Sequence, residues 1–289
     1  MTYLRDEIAS QPSAWARALE MSVSGLPEPG ERVAVIGCGT SYYMAQAYAA
    51  LREKSLGDTD AFPASEFPFG RHYDRVVALT RSGTTTEVLS VLSRVECATP
   101  TVALTADPAT PVSEAADTVI ALDFADEKSV VQTRFATTAL LLLRASLGED
   151  VSALPETASA ALASPLAPEL LAAEQVTFLG TGWTIGLANE AALKLREAAQ
   201  AWTESYYAME YRHGPISIAA PGRAVWAFGP LIPNFERDVR ATGATLLHSD
   251  LDPLAELVKV HRLCLLRAAA RQLDADQPRN LTRSIILDS

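Results

Sequence analysis

Residues 76–92 read VVALTRSGTTTEVLSVL, and this stretch decides the fold. Val76, Val77, Ala78 and Leu79 form a short, unbroken apolar run, the pattern of a strand buried on both faces. Thr80-Arg81-Ser82-Gly83-Thr84-Thr85-Thr86 follows, and then Val88, Leu89, Val91 and Leu92 recur at helical spacing. Glu87 falls in the first helical turn, where a carboxylate suits the positive end of the dipole. Free N–H groups at such a junction point outward, hydroxyls add donors, and Gly83 lets the backbone approach an anion closely. The stretch reads either as a phosphate cradle or as an ordinary βα loop with a hydroxyl N-cap. It lacks a P-loop lysine, so nucleotide hydrolysis is not indicated.

The flanking sequence repeats this grammar. Residues 32–36 (RVAVI) predict a buried strand, and Gly37-Cys38-Gly39-Thr40-Ser41 leads into a helix from about Tyr42 to Lys54. Upstream, apolar spacing predicts one helix over Leu4–Met21. Residues 62–67 read as extended, 101–105 and 118–122 as strands with a short helix at Ala115-Ala116, and 127–147 as one long helix. Strands alternating with helices are the pattern of a parallel sheet covered on both faces.

Residues 154–168 are rich in Ala, Ser and Pro and read as a crossing between halves, which sets expected domains of 1–155 and 156–289. A strand at 175–179 then runs through Gly180-Thr181-Gly182-Trp183-Thr184 into a helix predicted over Ile185–Thr203. Laid on the first junction without a gap, it pairs Gly37 with Gly180, Gly39 with Gly182, Ser41 with Thr184, Ala45 with Ala188 and Ala49 with Ala192. That register suggests an internal duplication. Strands at 224–228 and 244–247, and helices near 235–242 and 254–273, complete the second half.

The chain has 289 residues, 48% of them hydrophobic, enough for one large core or two ordinary ones. A net charge of −11 argues against nucleic acid or an anionic membrane as partner. A small anion remains compatible, because a helix N-terminus supplies local positive potential. Cys38, Cys97 and Cys264 have no CxxC spacing, so neither a disulfide framework nor a zinc site is expected; no other metal and no cofactor is expected either. The first residues show no basic region followed by an apolar core, and no apolar run is long enough to span a bilayer, so a cytoplasmic location is expected. Lysine occurs only at 54, 128, 194 and 259.

Glu190, Lys194 and Glu197, spaced by four and three, share one helical face. They read as a solvated ion-pair face or as charges facing a cleft, and the small apolar residues around them favour the cleft. His213, in Tyr211-Arg212-His213-Gly214-Pro215, reads as structural or catalytic.

Together GCGTSYYMA, ASEF (64–67), TRSGTTTEV, GLANEAALKLREAAQAWTESYYAMEYRHGP and DQPRNLTRS resemble the sugar isomerase (SIS) family. Within it they are similar to the isomerase half of glucosamine-6-phosphate synthases, in the same order from about residue 15 onward. The resemblance implies two tandem, doubly wound parallel-sheet domains of flavodoxin-like type, usually dimeric. It implies a sugar-phosphate site at Gly39, Thr40, Ser41, Thr80, Arg81, Ser82 and Thr85, with Gln132 and Glu190 beside it. Glu197 would move a proton between sugar C1 and C2, Lys194 would position hydroxyls, and His213, from the neighbouring subunit, would assist ring opening.

Three departures limit the carry-over. There is no room here for the synthases' glutaminase domain. The tail lysine that forms their Schiff base is matched by Arg283, and a guanidinium cannot do amine chemistry. Arg81 and Gln132 stand where the synthases have glutamine and serine. The expectation is therefore an amino-sugar-phosphate deaminase/isomerase, which needs no lysine. A fructosamine-6-phosphate deglycase, a plain phosphosugar isomerase and a non-enzymatic sugar-phosphate sensor are the alternatives.

Overall fold

The computed structural model describes residues 2–287. The chain opens with two helices, α1 (Tyr3–Ala9) and α2 (Gln11–Leu19), rather than the single helix predicted. Pro12 explains the break: it has no N–H for the carbonyl of Ile8, which instead accepts from the Gln11 side chain at 3.2 Å. Then come β1 (Val33–Gly37), α3 (Thr40–Ser55), β2 (Thr59–Pro63), β3 (Arg75–Thr80), α4 (Thr86–Arg94), β4 (Thr101–Thr105), α5 (Val112–Ala115) and β5 (Thr118–Ala121). The piece predicted as extended over 62–67 is the end of β2 followed by a 3-10 turn, Ala64–Glu66.

The long helix predicted over 127–147 is a loop followed by α6 (Arg134–Ser146). Glu127 lies outside the helix and caps it. Its carboxylate accepts from the N–H groups of Thr133 (2.6 Å), Arg134 (2.7 Å) and Phe135 (3.3 Å). Helices α7 (Leu154–Ala163) and α8 (Pro168–Ala172) lead to β6 (Gln175–Gly180) and α9 (Thr184–Ala199). Here prediction and structure part again: the helix stops at Ala199, and Trp202–Tyr207 forms strand β7. Gln200 takes a left-handed conformation, φ 48°, and Ala201 N–H closes back on the carbonyl of Leu195. A residue other than glycine does this, so the stop signal is muted. β8 (Arg223–Ala227), α10 (Phe235–Ala241), β9 (Thr245–Leu247) and α11 (Pro253–Ala270) end the regular structure.

Both sheets are wholly parallel, ordered β2-β1-β3-β4-β5 and β7-β6-β8-β9. The second therefore repeats the winding of the first four strands. The matched glycines repeat too: a Cβ on Gly37 or Gly180 would lie within 2.6 Å of the helix backbone that follows, and Gly39 and Gly182 take φ of 54° and 59°. Alternate strand residues separate the layers. Val33, Val35, Val77 and Leu79 join Val176, Phe178 and Trp226 in one core between the sheets. Ala34, Ile36, Val76 and Ala78 face α4 on the outside, and Leu179 and Val225 face α10. α9 lies in the shared layer, packed on α3 and α11. Gly186 permits that approach, since a Cβ there would be 2.4 Å from the carbonyl oxygen of Tyr43. Among the described residues no helix is long and apolar enough to cross a membrane.

Candidate active site

In the first sheet β1 and β3 are neighbours, and the chain leaves them in opposite directions, to β2 and β4. The crevice outside the carboxyl ends of such a strand pair is where open α/β sheets bind ligands. Both predicted junctions fall there, 37–41 after β1 and 80–86 after β3. Within the second, Gly83 N–H donates to Thr80 Oγ1 (3.2 Å) and Thr84 N–H to Ser82 Oγ (3.3 Å), which folds the hydroxyls into a tight loop. Gly83 has φ 64°, and a Cβ would sit 2.0 Å from Thr110 Oγ1, so no other residue fits. Neither Gly39 before α3 nor Thr85 before α4 caps its helix through a side chain. Ser41, Thr40, Thr80 and Ser82 are buried, and Thr85 is half-buried.

The C-terminal tail lies on this loop. Ser284 Oγ is 2.9 Å from Thr84 Oγ1 and 3.4 Å from Thr85 Oγ1. Thr86 N–H donates to the carbonyl of Ile285, and Leu287 N–H to Thr86 Oγ1.

On α9 the Glu190–Lys194–Glu197 row is inward-facing rather than a solvated ion-pair face, and of the three only Glu197 lines a cavity. Glu190 and Lys194 are each 1% exposed, whereas the Glu197 side chain is 18% exposed beside a cavity of about 330 Å³ that Arg196 and Arg279 also line. Lys194 Nζ is 3.5 Å from Glu190 Oε1 and hydrogen-bonds Glu197 Oε2. Burial pushes the Glu190 carboxyl up to about 7; Lys194 opposes the shift and Glu197 adds to it. Neither Glu190 oxygen has a hydrogen bond of good geometry among the described residues. Burial works against the charge on Lys194, but the two carboxylates outweigh it and hold the ammonium above its ordinary range.

Behind the row stand His261 and Cys264 of α11, neither of which the sequence singles out. Burial and Lys194 hold the His261 imidazole down to about 3, and its Nδ1 lies 3.2 Å from Gln11 Oε1. The imidazole is neutral at physiological pH.

Other expected site residues are placed differently. Arg81 is buried and turned away from the loop it belongs to, its donors aimed at the 126–130 segment. Gln132 lies in the loop before α6, with Oε1 buried and unpartnered among the described residues. Arg283 pairs with Asp126 and the carbonyl of Glu127. His213 is exposed on the 3-10 turn Glu210–His213, after edge strand β7. Within one chain it has no hydrogen bond or ion pair to the α9 row among the described residues. Glu127 and Ser284 are site-framing residues that the sequence patterns did not mark; an acid six residues before a Thr-Arg helix start is the one available signal for Glu127. No group of three or more His, Cys, Asp or Glu side chains is placed to hold a metal among the described residues.

No protein-family model matches the sequence. The chain is 27% identical over 99% of its length to glutamine–fructose-6-phosphate aminotransferase (isomerizing) of Methanothermobacter thermautotrophicus, of which it spans 58%. It superposes on glucosamine-6-phosphate deaminase from Thermotoga maritima with a TM-score of 0.83 at 23% identity, covering 99% of this chain and 100% of that one. The C-terminal domain of glucosamine-fructose-6-phosphate aminotransferase from Francisella tularensis gives 0.81 at 21% identity, covering 96% and 98%. These two structures establish the shared fold. In sequence the chain is thus similar to the isomerase part of these aminotransferases, and in fold to solved SIS-type phosphosugar proteins.

Proposed function

We propose that this SIS-domain chain is an aldose–ketose isomerase/deaminase acting on an amino-sugar 6-phosphate, such as glucosamine or galactosamine 6-phosphate. The observation that carries the reading is the α9 row: a partly exposed carboxylate, Glu197, held by a buried lysine whose other neighbour is a second, buried carboxylate. Such a carboxylate can act as general base. In the open-chain sugar, Glu197 takes the proton from C2 and returns it to C1. The C1 aldehyde becomes a hydroxymethyl group and the C2 amine a ketimine, which water hydrolyses to ketose phosphate and ammonia. No lysine amine takes part, consistent with Arg283 being tied to Asp126. The phosphate is assigned to Ser41 and the Thr80–Thr85 loop at the switch point, and Lys194 to positioning the sugar hydroxyls. We also propose a homodimer in which His213 of one subunit assists ring opening in the other. The exposed Trp202, Tyr207 and Met209 on and after edge strand β7 fit such a contact.

A panel of hexosamine 6-phosphates, fructosamine 6-phosphates and plain hexose 6-phosphates, scored for ammonia and ketose, tests the reading. Ammonia from a 2-amino sugar is expected. Ammonia only from fructosamine phosphates would mean a deglycase, ketose without ammonia an isomerase, and binding without turnover a sensor.

A further inference from the structure

The buried Arg81 guanidinium, with three carbonyls from two segments converging on it, has no described contact with the loop hydroxyls beside it. Nη1 donates to the carbonyl of Ser129 (3.0 Å), and Nη2 to those of Val130 and Arg283 (both 3.1 Å). The 126–130 segment is held from two further sides. The Glu7 carboxylate accepts from the Ser129 N–H and hydroxyl, and the Arg283 side chain donates to the Glu127 carbonyl and to Asp126. Glu127 Oε2, 4.0 Å from Arg81, balances the buried charge. The rigid guanidinium fork meets acceptors on both chain segments from two nitrogens at once while keeping its charge. From here the tail runs one residue further to Ser284, which lies against Thr84 and Thr85.

We propose that Arg81 is a positioning residue and not a phosphate ligand: it clamps the C-terminal tail and the 126–130 segment, and through them fixes the shape of the Thr80–Thr86 loop. An incoming phosphate meets the hydroxyls and N–H groups of that loop, while the guanidinium stays on its three carbonyls. The role rests on the phosphate-loop reading, but its test does not need turnover.

Hydrogen exchange of residues 126–133 and 281–287 is compared in the native protein, Arg81→Gln and Arg81→Lys, and affinity for inorganic phosphate is measured alongside. Arg81→Lys keeps the charge opposite Glu127, so it reports even if Arg81→Gln does not fold. The lysine ammonium is one nitrogen on a shorter reach and cannot place donors where Nη1 and Nη2 stand, and loss of charge-assisted bonds predicts on the order of 10-fold faster exchange in both segments. Phosphate affinity should change less than exchange does. Unchanged exchange in the tail would overturn the proposal, and a collapse of phosphate affinity with the tail still protected would make Arg81 a direct ligand. Failure of the native protein to release ammonia bears on the function alone and leaves this result standing.

Discussion

Lys194 is bracketed on α9 by two carboxylates, Glu190 Oε1 3.5 Å from its Nζ on one side and Glu197 Oε2 hydrogen-bonded on the other. Glu190 also lies close to Thr40, at the start of α3 and in the first of the two strand–helix junctions. The row thus joins the candidate base in one half of the molecule to the proposed phosphate crevice in the other.

Glu190 gives the site a titration near neutrality. Its carboxyl, raised to about 7 chiefly by burial, is neutral in the folded protein over a range where the unfolded chain is ionised. Folded protein then binds more protons than unfolded, so stability should fall as pH rises from about 4.5 to 7 and level off above. Below that window the group contributes no pH dependence. Glu190→Gln should flatten this slope in thermal melts. Once Glu190 is ionised, Lys194 is shared between two carboxylates and its hold on Glu197 loosens, so turnover should rise through pH 7 in the native protein and lose that step in the variant. An unaltered melt and rate profile in Glu190→Gln would show that this carboxyl does not titrate there.

The Thr80–Thr86 loop separates ligand binding from folding. Replacing both Ser82 and Thr85 with alanine removes hydroxyls, including the acceptor of Thr84 N–H, and leaves the backbone its room, so stability should drop by only about 1–2 kcal/mol while sugar-phosphate affinity falls on the order of 10-fold. Gly83→Ala should behave oppositely. A Cβ 2.0 Å from Thr110 Oγ1 at φ 64° predicts a stability loss of about 2–4 kcal/mol in denaturant titration. Equal affinity in the Ser82/Thr85 double variant would remove the phosphate from this loop.

Much of the framework around the candidate site is legible in the sequence, because buried parallel strands ending in Gly, Ser and Thr leave a local signature. VVALT and TVALT read correctly for that reason, and the order of two α/β halves follows from them. What escapes depends on distant partners. Gln200 ends α9 in a conformation usually given to glycine, so helical spacing reads through it into β7. Glu127 looks like helix surface until its carboxylate is seen capping α6. Arg81 stands in a ligand-like motif, yet its acceptors lie 48, 49 and 202 residues away. His213 is placed by sequence resemblance in a partner's site, and one chain leaves it exposed.

Subunit complementation probes that last point. Glu197→Gln and His213→Ala proteins, each inactive alone, should regain partial activity when mixed under conditions of subunit exchange, since hybrid dimers carry one intact composite site. Exchange without recovery would mean that both residues act within one chain or that His213 takes no part.

The most direct measurement follows the proton assigned to Glu197. An amino-sugar 6-phosphate that is turned over is incubated in deuterium oxide, and the ketose phosphate is analysed for deuterium at C1. Native protein should release ammonia and place solvent deuterium on that carbon. Glu197→Gln keeps the side chain's size but not its basicity, so turnover and deuterium entry should fall by roughly 10²–10⁴ while substrate still binds. Exchange at the native rate in Glu197→Gln would contradict the account and assign the base to another residue.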